Sequence, residues 1–317
     1  MVAKIFIDGE AGTTGLQIRE RLAGRRDLEV LSIAPEKRKD QDERKRLLNA
    51  ADVAILCLPD EAAKESVRLI ENETTRVIDA STAHRIADGW AYGFAEMDAG
   101  QTEAIAMARY VANPGCWPQG LIAATRPLIE ARLLPADYPL SYHGISGYTG
   151  GGRQMIEEYE ATGAKPSRYM PYALTFQHKH LPEMALYSGL GRAPLFEPVV
   201  GDFAQGMSTA LPLHLDMVAD IPTGKDIHAA LADHYAAISN GFVRVASYDP
   251  ALGKSAALDP EAHNGSNTLT LHVFANDAAG QAVICAVYDN LGKGASGAAV
   301  QNLNIMLGVD PQTSLTA

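Results

Sequence analysis

Lys4-Ile-Phe-Ile-Asp8, followed by Gly9-Glu-Ala-Gly12-Thr-Thr-Gly15, decides how the chain is read. The first five residues form a short apolar strand candidate, and Thr14–Leu22 carries apolar residues at helical spacing. Glycines between a strand and a helix let the backbone turn sharply and approach a pyrophosphate. The helix start behind them offers unpaired N–H groups and the positive end of a dipole. The spacing is G-x-x-G-x-x-G, not the commoner G-x-G-x-x-G, so the position at the end of a first strand carries the reading. Gly9, Gly12, Thr13, Thr14 and Gly15 are therefore expected to hold a dinucleotide. The alternative is a tight turn without a ligand.

Downstream, the pattern repeats. Leu28–Ile33 reads as a strand, and Asp40–Ala50 as a polar helix with Asp40 as N-cap. Val53–Leu58 is a continuous apolar run, and Asp60 is placed to cap a helix reaching Glu71. Arg76–Asp79 and Arg109–Ala112 supply further short strands. Continuous apolar strands separated by helices imply a parallel sheet covered on both faces, the doubly wound α/β arrangement of a Rossmann-type nucleotide-binding domain.

From about Tyr138 the texture changes. Pro139–Ile145, Leu174–His180, Glu197–Phe203, Met207–Leu215, Thr268–Ala275 and Ala282–Asp289 read as strands, with helices at Arg153–Ala161 and Lys225–Ile238. Strands without intervening helices predict an α+β domain with a mixed or antiparallel sheet. A last helix, Ala295–Met306, follows the Gly-rich turn Gly292-Lys-Gly-Ala-Ser-Gly297. The expected division is a nucleotide-binding domain over residues 1–116, completed by a C-terminal helical segment 291–317, and a catalytic and oligomerisation domain over 117–290.

The 317 residues carry 27 Lys and Arg against 38 Asp and Glu, a net charge of −11. That balance argues against nucleic acid, whose phosphate backbone needs a cationic face. No apolar run approaches the length of a membrane span. The N-terminal apolar stretch is too short for a secretory signal. Three cysteines, Cys57, Cys116 and Cys285, give neither a disulfide scaffold nor zinc spacing, so the expected compartment is the cytoplasm.

The second strand bears on cofactor choice. An NAD site usually ends that strand with an acidic residue for the ribose 2′-hydroxyl. Here Leu31-Ser32-Ile33-Ala34 leads into Pro35-Glu-Lys37-Arg38-Lys39. A hydroxyl and three cations suit the 2′-phosphate of NADP or NADPH, with Ser32 and Arg38 as the chief contacts and Lys37 and Lys39 as further candidates. The alternative is a solvated basic loop.

Asn113-Pro-Gly-Cys116-Trp-Pro sits between a strand and a helix read over Gln119–Arg132. A thiol at a helix N-terminus has its thiolate stabilised, which makes Cys116 the candidate nucleophile. Cys57 and Cys285 lie inside apolar strand runs and read as core thiols. Nine histidines compete to be its proton-handling partner. His178-Lys-His180-Leu-Pro-Glu183 is the densest cluster, and His180 stands at the end of an expected strand; His84, His143 and His214 are rivals. His178 and His180 on one strand face also raise chelation, but no third ligand has suitable spacing, and no metal is expected. Two further segments offer anion contacts: Asp79-Ala-Ser81-Thr-Ala-His84-Arg85, and Ser146-Gly147-Tyr-Thr-Gly-Gly-Gly-Arg153. Either one also reads as a polar loop with helix-capping hydroxyls.

Together these motifs, with His180-Leu-Pro-Glu183 and Asp289-Asn-Leu-Gly-Lys-Gly-Ala-Ser-Gly-Ala-Ala-Val-Gln-Asn302, identify a family likeness. Over nearly its whole length the chain resembles the shorter form of the N-acetyl-gamma-glutamyl-phosphate reductases of arginine biosynthesis, relatives of the aspartate-semialdehyde dehydrogenases. It departs from the longer form at Tyr148–Gly152 and at the Trp after the cysteine. The resemblance implies Cys116 as nucleophile and His180 as acid and base. Gly9, Gly12 and Gly15 would hold the pyrophosphate, with Pro59, Asn290 and Gly294 completing the cofactor contacts. Ser81, Arg85, Asn113, Ser146, Gly147, Arg153 and Glu183 would face an acyl-phosphate substrate and the phosphate released. It further implies reduction by NADPH through a cysteine thioester in a homodimer or homotetramer. Two alternatives stand beside it: a sister reductase acting on aspartyl phosphate or a longer homologue, and a silent NADP-binding sensor, which a buried, unreactive Cys116 would favour.

Overall fold

The computed structural model describes the chain except at residues 1, 164, 165, 252 and 254–256. The chain divides into two compact units. One comprises Met1–Ala95, Gly100–Gly115 and Ala295–Thr316; the other is chiefly Glu96–Ala99 and Cys116–Gly294.

The first unit holds a six-stranded sheet of β1 (Ala3–Asp8), β2 (Leu28–Leu31), β3 (Val53–Leu56), β4 (Arg76–Asp79), β5 (Ala91–Tyr92) and β6 (Tyr110–Ala112), in the order β2-β1-β3-β4-β6-β5. Every pairing is parallel. Helices α1 (Thr13–Leu22), α2 (Gln41–Ala50), α3 (Asp60–Leu69) and α4 (Gln101–Met107) connect the strands. Alternation along the strands explains why they read as continuous apolar runs. Ile5, Ile7, Val53, Ile55, Ile78 and Val111 face a core shared with Ile18 and Leu22 of α1 and Ile105 of α4. Phe6, Ala54, Leu56 and Val77 face the other way, toward Leu47 and Leu48 of α2 and Ala63 of α3. The C-terminal helix, Gly297–Met306, is buried at all ten positions, and Ala299, Val300, Leu303, Ile305 and Met306 complete the first of these cores. A single turn of π-helix, Gly292–Ser296, precedes it.

Asp40 does cap α2, accepting from the Glu43 N–H at 2.9 Å. Asp60 does not cap α3. It is the first helical residue, Pro59 holds the cap position, and the Asp60 carboxylate instead accepts from the backbone N–H and hydroxyl of Thr82. Below the loop that follows β1, Arg44 of α2 donates to Asp8 at 3.1 Å and to Ser66 of α3, so one buried ion pair fastens two helices to the end of that strand.

The second unit contains α5 (Cys116–Glu130), β7 (Ser141–Gly147), α6 (Gly152–Glu160), β8 (Tyr169–Pro171), α7 (Leu181–Ser188), β9 (Leu195–Gly201), β10 (Met207–His214), α8 (Gly224–Ala236), β11 (Val243–Val245), β12 (Leu269–Asn276) and β13 (Gln281–Tyr288). Its seven-stranded sheet runs β11-β12-β13-β10-β7-β9-β8. β11–β12 and β7–β9 pair in parallel and the other neighbours antiparallel, so the sheet is mixed. α5 and α8 cover one face. The opposite face, with His143, Ala210, Pro212, Phe274, Val283 and Cys285, is at least partly exposed.

Leu174–His180 is not a strand. The segment turns, with Ala173 at φ +53° and Phe176 at φ +57°, and His180 is the residue before α7. Leu-Pro-Glu after His180 is a helix start, since proline fits the first helical turn without losing a needed hydrogen bond and an acid there suits the dipole.

Candidate active site

In the first unit the chain reverses its direction of travel across the sheet between β1 and β3, and ligands of open α/β sheets bind outside the strand ends at such a point. Gly9 leaves β1 there at φ +90°, and a Cβ on it would lie 2.3 Å from the Cys57 carbonyl oxygen. A Cβ on Gly15 would lie 2.6 Å from the Gly9 carbonyl oxygen, whereas Gly12 faces open space apart from contacts of 3.5 Å or more. α1 starts at Thr13 with no side-chain cap and no acid in its first turn. The loop is thus tight on its inner side and leaves helix-start N–H groups for an anion, which fits a pyrophosphate. Pro59 is exposed at the start of α3, and Ser32, Lys37, Arg38 and Lys39 are exposed beyond β2. Arg38 also reaches back to the glycine loop, donating to Glu10 at 3.3 Å, and Arg19 holds the same carboxylate at 2.7 Å.

The Asp79–Arg85 segment turns on the buried Asp79 carboxylate. It accepts from the Ser81 N–H (2.9 Å) and hydroxyl (2.7 Å) and lies 2.6 Å from His84 Nδ1, while His84 stacks on Trp90 at 4.1 Å. Arg85 is buried and donates to the carbonyl oxygens of Asn113 (3.0 Å) and Ala80 (3.2 Å). The Asn113 amide donates to the Ala295 carbonyl and accepts from Asn302, so two of the sequence motifs meet.

In the second unit Cys116 is the first residue of α5, three positions before the expected start at Gln119. Every residue from Val111 to Thr125 is buried except Cys116. A Cβ on Gly294 would lie 2.9 Å from the Cys116 Cβ, so only glycine lets the π turn pack against this residue. Trp117 donates from Nε1 to the Tyr172 hydroxyl at 3.0 Å and meets Phe196 edge-on at 5.3 Å. His178 packs against both Tyr172 (5.7 Å) and Phe196 (5.1 Å), lies 4.7 Å from the His180 ring, and accepts the His180 N–H at Nδ1. The residues beside Cys116 and His180 therefore share two aromatic neighbours. Burial, and after it repulsion from Cys116 when both groups are ionised, pushes the Tyr172 phenol well above its usual range. His180 is buried, with Nε2 4.0 Å from the buried Glu183 carboxylate one helical turn on.

Ser146 is buried at the end of β7, and Gly147 donates to the Gly206 carbonyl. The buried Asn290 accepts from Gly206 N–H at 2.7 Å and donates to the Thr149 hydroxyl, so its amide links two loops. Arg153 lies on the exposed face of α6, paired with Glu157 at 2.7 Å. Among the rival histidines, His143 and His214 are exposed on β7 and β10. Among the described residues no group of three or more His, Cys, Asp or Glu is arranged to hold a metal, and no helix is long and apolar enough to cross a membrane.

Residues 4–105 match the semialdehyde dehydrogenase NAD binding domain, and residues 116–290 the semialdehyde dehydrogenase dimerisation domain. An N-acetyl-gamma-glutamyl-phosphate reductase of Chelativorans sp. is 62% identical over 97% of this chain and 99% of its own length. One of Mesorhizobium japonicum is 61% identical over 98% and 100%. The chain belongs to the N-acetyl-gamma-glutamyl-phosphate reductase family. The same fold occurs in aspartate semialdehyde dehydrogenase II of Vibrio cholerae, with a TM-score of 0.70 at 13% identity, covering 97% of this chain and 99% of that one. It occurs too in the Candida albicans aspartate semialdehyde dehydrogenase solved with NADP, with a TM-score of 0.66 at 12% identity over 96% and 99%.

The reductase fold also gives buried roles to residues for which the sequence reading named none. Lys293 of the π turn and Glu96 form an ion pair at 2.6 Å, each 1% exposed. Burial pushes the lysine down while the carboxylate opposes it. Glu96 also accepts from Phe242 N–H, and the Lys293 carbonyl accepts from Gln119 of α5. Nothing near Lys293 in sequence points to Glu96.

Proposed function

We propose that this protein catalyses the NADPH-dependent reductive dephosphorylation of N-acetyl-5-glutamyl phosphate to N-acetylglutamate 5-semialdehyde, a step of arginine biosynthesis. The observation that carries the proposal is Cys116, the one partly exposed residue in a buried stretch at the N-terminus of α5, in a chain that matches named reductases over nearly its whole length. That partial access, at a helix start, disfavours a silent NADP-binding sensor.

The Cys116 thiolate attacks the acyl carbon and phosphate departs with the bonding electrons, leaving a thioester on the sulfur. NADPH, when bound, supplies hydride to this thioester. His180 takes the thiol proton, lends it to the oxyanion of the thiohemiacetal and recovers it when the thiolate leaves and the aldehyde is freed. The glycine loop and the α1 start would hold the pyrophosphate, with Ser32 and Arg38 at the 2′-phosphate. A thioester is reduced where a carboxylate resists, which is why the nucleophile is needed. Ser81, Arg85, Asn113, Ser146, Gly147, Arg153 and Glu183 remain the candidate substrate contacts. Arg85 would act chiefly by holding the Asn113 backbone.

The half-exposed apolar face of the second sheet, within the region matching a dimerisation domain, supports a homodimer or homotetramer. Three thiols without a disulfide agree with a cytoplasmic setting.

The test is phosphate-dependent reduction of NADP with N-acetylglutamate semialdehyde and aspartate semialdehyde side by side. Preference for the acetylated aldehyde is expected, with turnover abolished and NADPH binding kept in Cys116→Ser. Activity with aspartate semialdehyde alone would keep the chemistry and reassign the substrate, and clear activity of C116S would remove Cys116 as nucleophile.

A further inference from the structure

Behind the first turn of α5 lies a group of hydroxyls that the reaction scheme above does not use. The Tyr288 phenol donates to the Cys116 carbonyl oxygen at 2.7 Å and accepts from the Gly120 N–H at 3.2 Å, bridging both ends of the turn. Tyr142 donates to the next carbonyl, that of Trp117, at 2.9 Å, and the Thr209 hydroxyl lies beside its phenol. A Cβ on Gly120 would lie 2.8 Å from each phenol oxygen and 2.9 Å from the Thr209 hydroxyl, so the missing side chain is what admits them. Both tyrosines are buried and burial holds their phenols protonated, so each keeps a proton to donate. Tyr288 is the last residue of β13, and the chain runs from it through Asp289 to Gly294, which packs on the Cys116 Cβ. One short segment thus grips Cys116 twice, by its carbonyl through Tyr288 and by its Cβ through Gly294.

We infer that Tyr288 is a positioning residue for the nucleophile, holding the first turn of α5 so that the Cys116 thiolate keeps both its direction and the helix-start N–H groups that stabilise it. The inference rests on Cys116 being the nucleophile. Tyr288→Phe keeps the ring and removes only the hydroxyl. In this variant kcat should fall at least about tenfold while the KM for NADPH, set by the first unit's loop, stays within about twofold. The pH midpoint for iodoacetamide alkylation of Cys116 should rise by about half a unit, the size expected when a helix-start contribution is weakened. A purely structural tyrosine would lower the Tm and leave that midpoint in place. If Y288F does not accumulate folded, Thr209→Val, which removes the third hydroxyl and leaves both rings, should show the same pattern with a smaller shift. Wild-type kcat and an unchanged alkylation profile in the folded variant would overturn the inference, as would a KM for NADPH rising in step with the loss of kcat. Alkylation needs no turnover, so an unmodified protein that is silent with both aldehydes would refute the proposed function without touching this comparison.

Discussion

Cys57 and Cys285 carry the same thiol as Cys116 in surroundings that disarm it. Burial, helped by the carboxylates of Asp79 and Asp8, pushes Cys57 up to about 12, and burial alone pushes Cys285 up to about 11. At pH 8 their thiolate fractions are about one in ten thousand and one in a thousand, too small for rapid attack on an electrophile. Brief treatment with iodoacetamide at that pH should therefore modify Cys116 first, as read by peptide mass mapping, and equal labelling of the three would contradict the assignment. At this scale the sequence was informative where chemistry is local. Cys116 stood out because Pro114 and Gly115 turn the chain into a helix, and Gly9 because it ends a strand. The roles of Tyr288 and Lys293 were invisible, because the atoms they bind belong to residues 172 and 197 positions away.

Among the elements, the C-terminal helix shows how much of the first core comes from outside the N-terminal sequence. Leu303 is fully buried among Ile5, Ile55, Ile105 and Val111, with no solvent face to relax into. Leu303→Ala should destabilise the protein by about 2–5 kcal/mol, measured by urea unfolding, because the site leaves a cavity between a helix and a sheet. A loss below about 1 kcal/mol would mean that the helix repacks freely. The amphipathic helices and parallel strands were readable because one periodic pattern determines each. The segment before α7 was misread because His178 and His180, two apart, look like one face of a strand. What decides the local structure is Pro182, which belongs inside a first helical turn, and the consequence matters for the site: His180 is held by a helix start and by His178, not by a sheet.

At the scale of the whole molecule, the face of the second sheet left by α5 and α8 carries Ala210 at its centre, registered beside His143 on β7 and Cys285 on β13. If this face joins two copies, Ala210→Asp should shift the protein to monomers in analytical ultracentrifugation, since the new carboxylate would be desolvated without a partner. An unchanged assembly would place the contact elsewhere. The two-sheet architecture was legible because the helix-separated strands stop near residue 115. The short visits to the other sheet's territory were not, since Glu96–Ala99 has no pattern that distinguishes it from a loop.

The scattered make-up of the first unit has a consequence for how the protein comes into being. A ribosome releases the strands of the first sheet early, yet the helix that seals their core is encoded after Gly294. At about 5–20 residues per second, the nascent sheet waits roughly 10–40 s with apolar surface open to the cell. The second unit, almost continuous in sequence, is finished in that interval. The portion made first is thus the portion completed last, and its exposure to proteases and chaperones is set by the speed of translation.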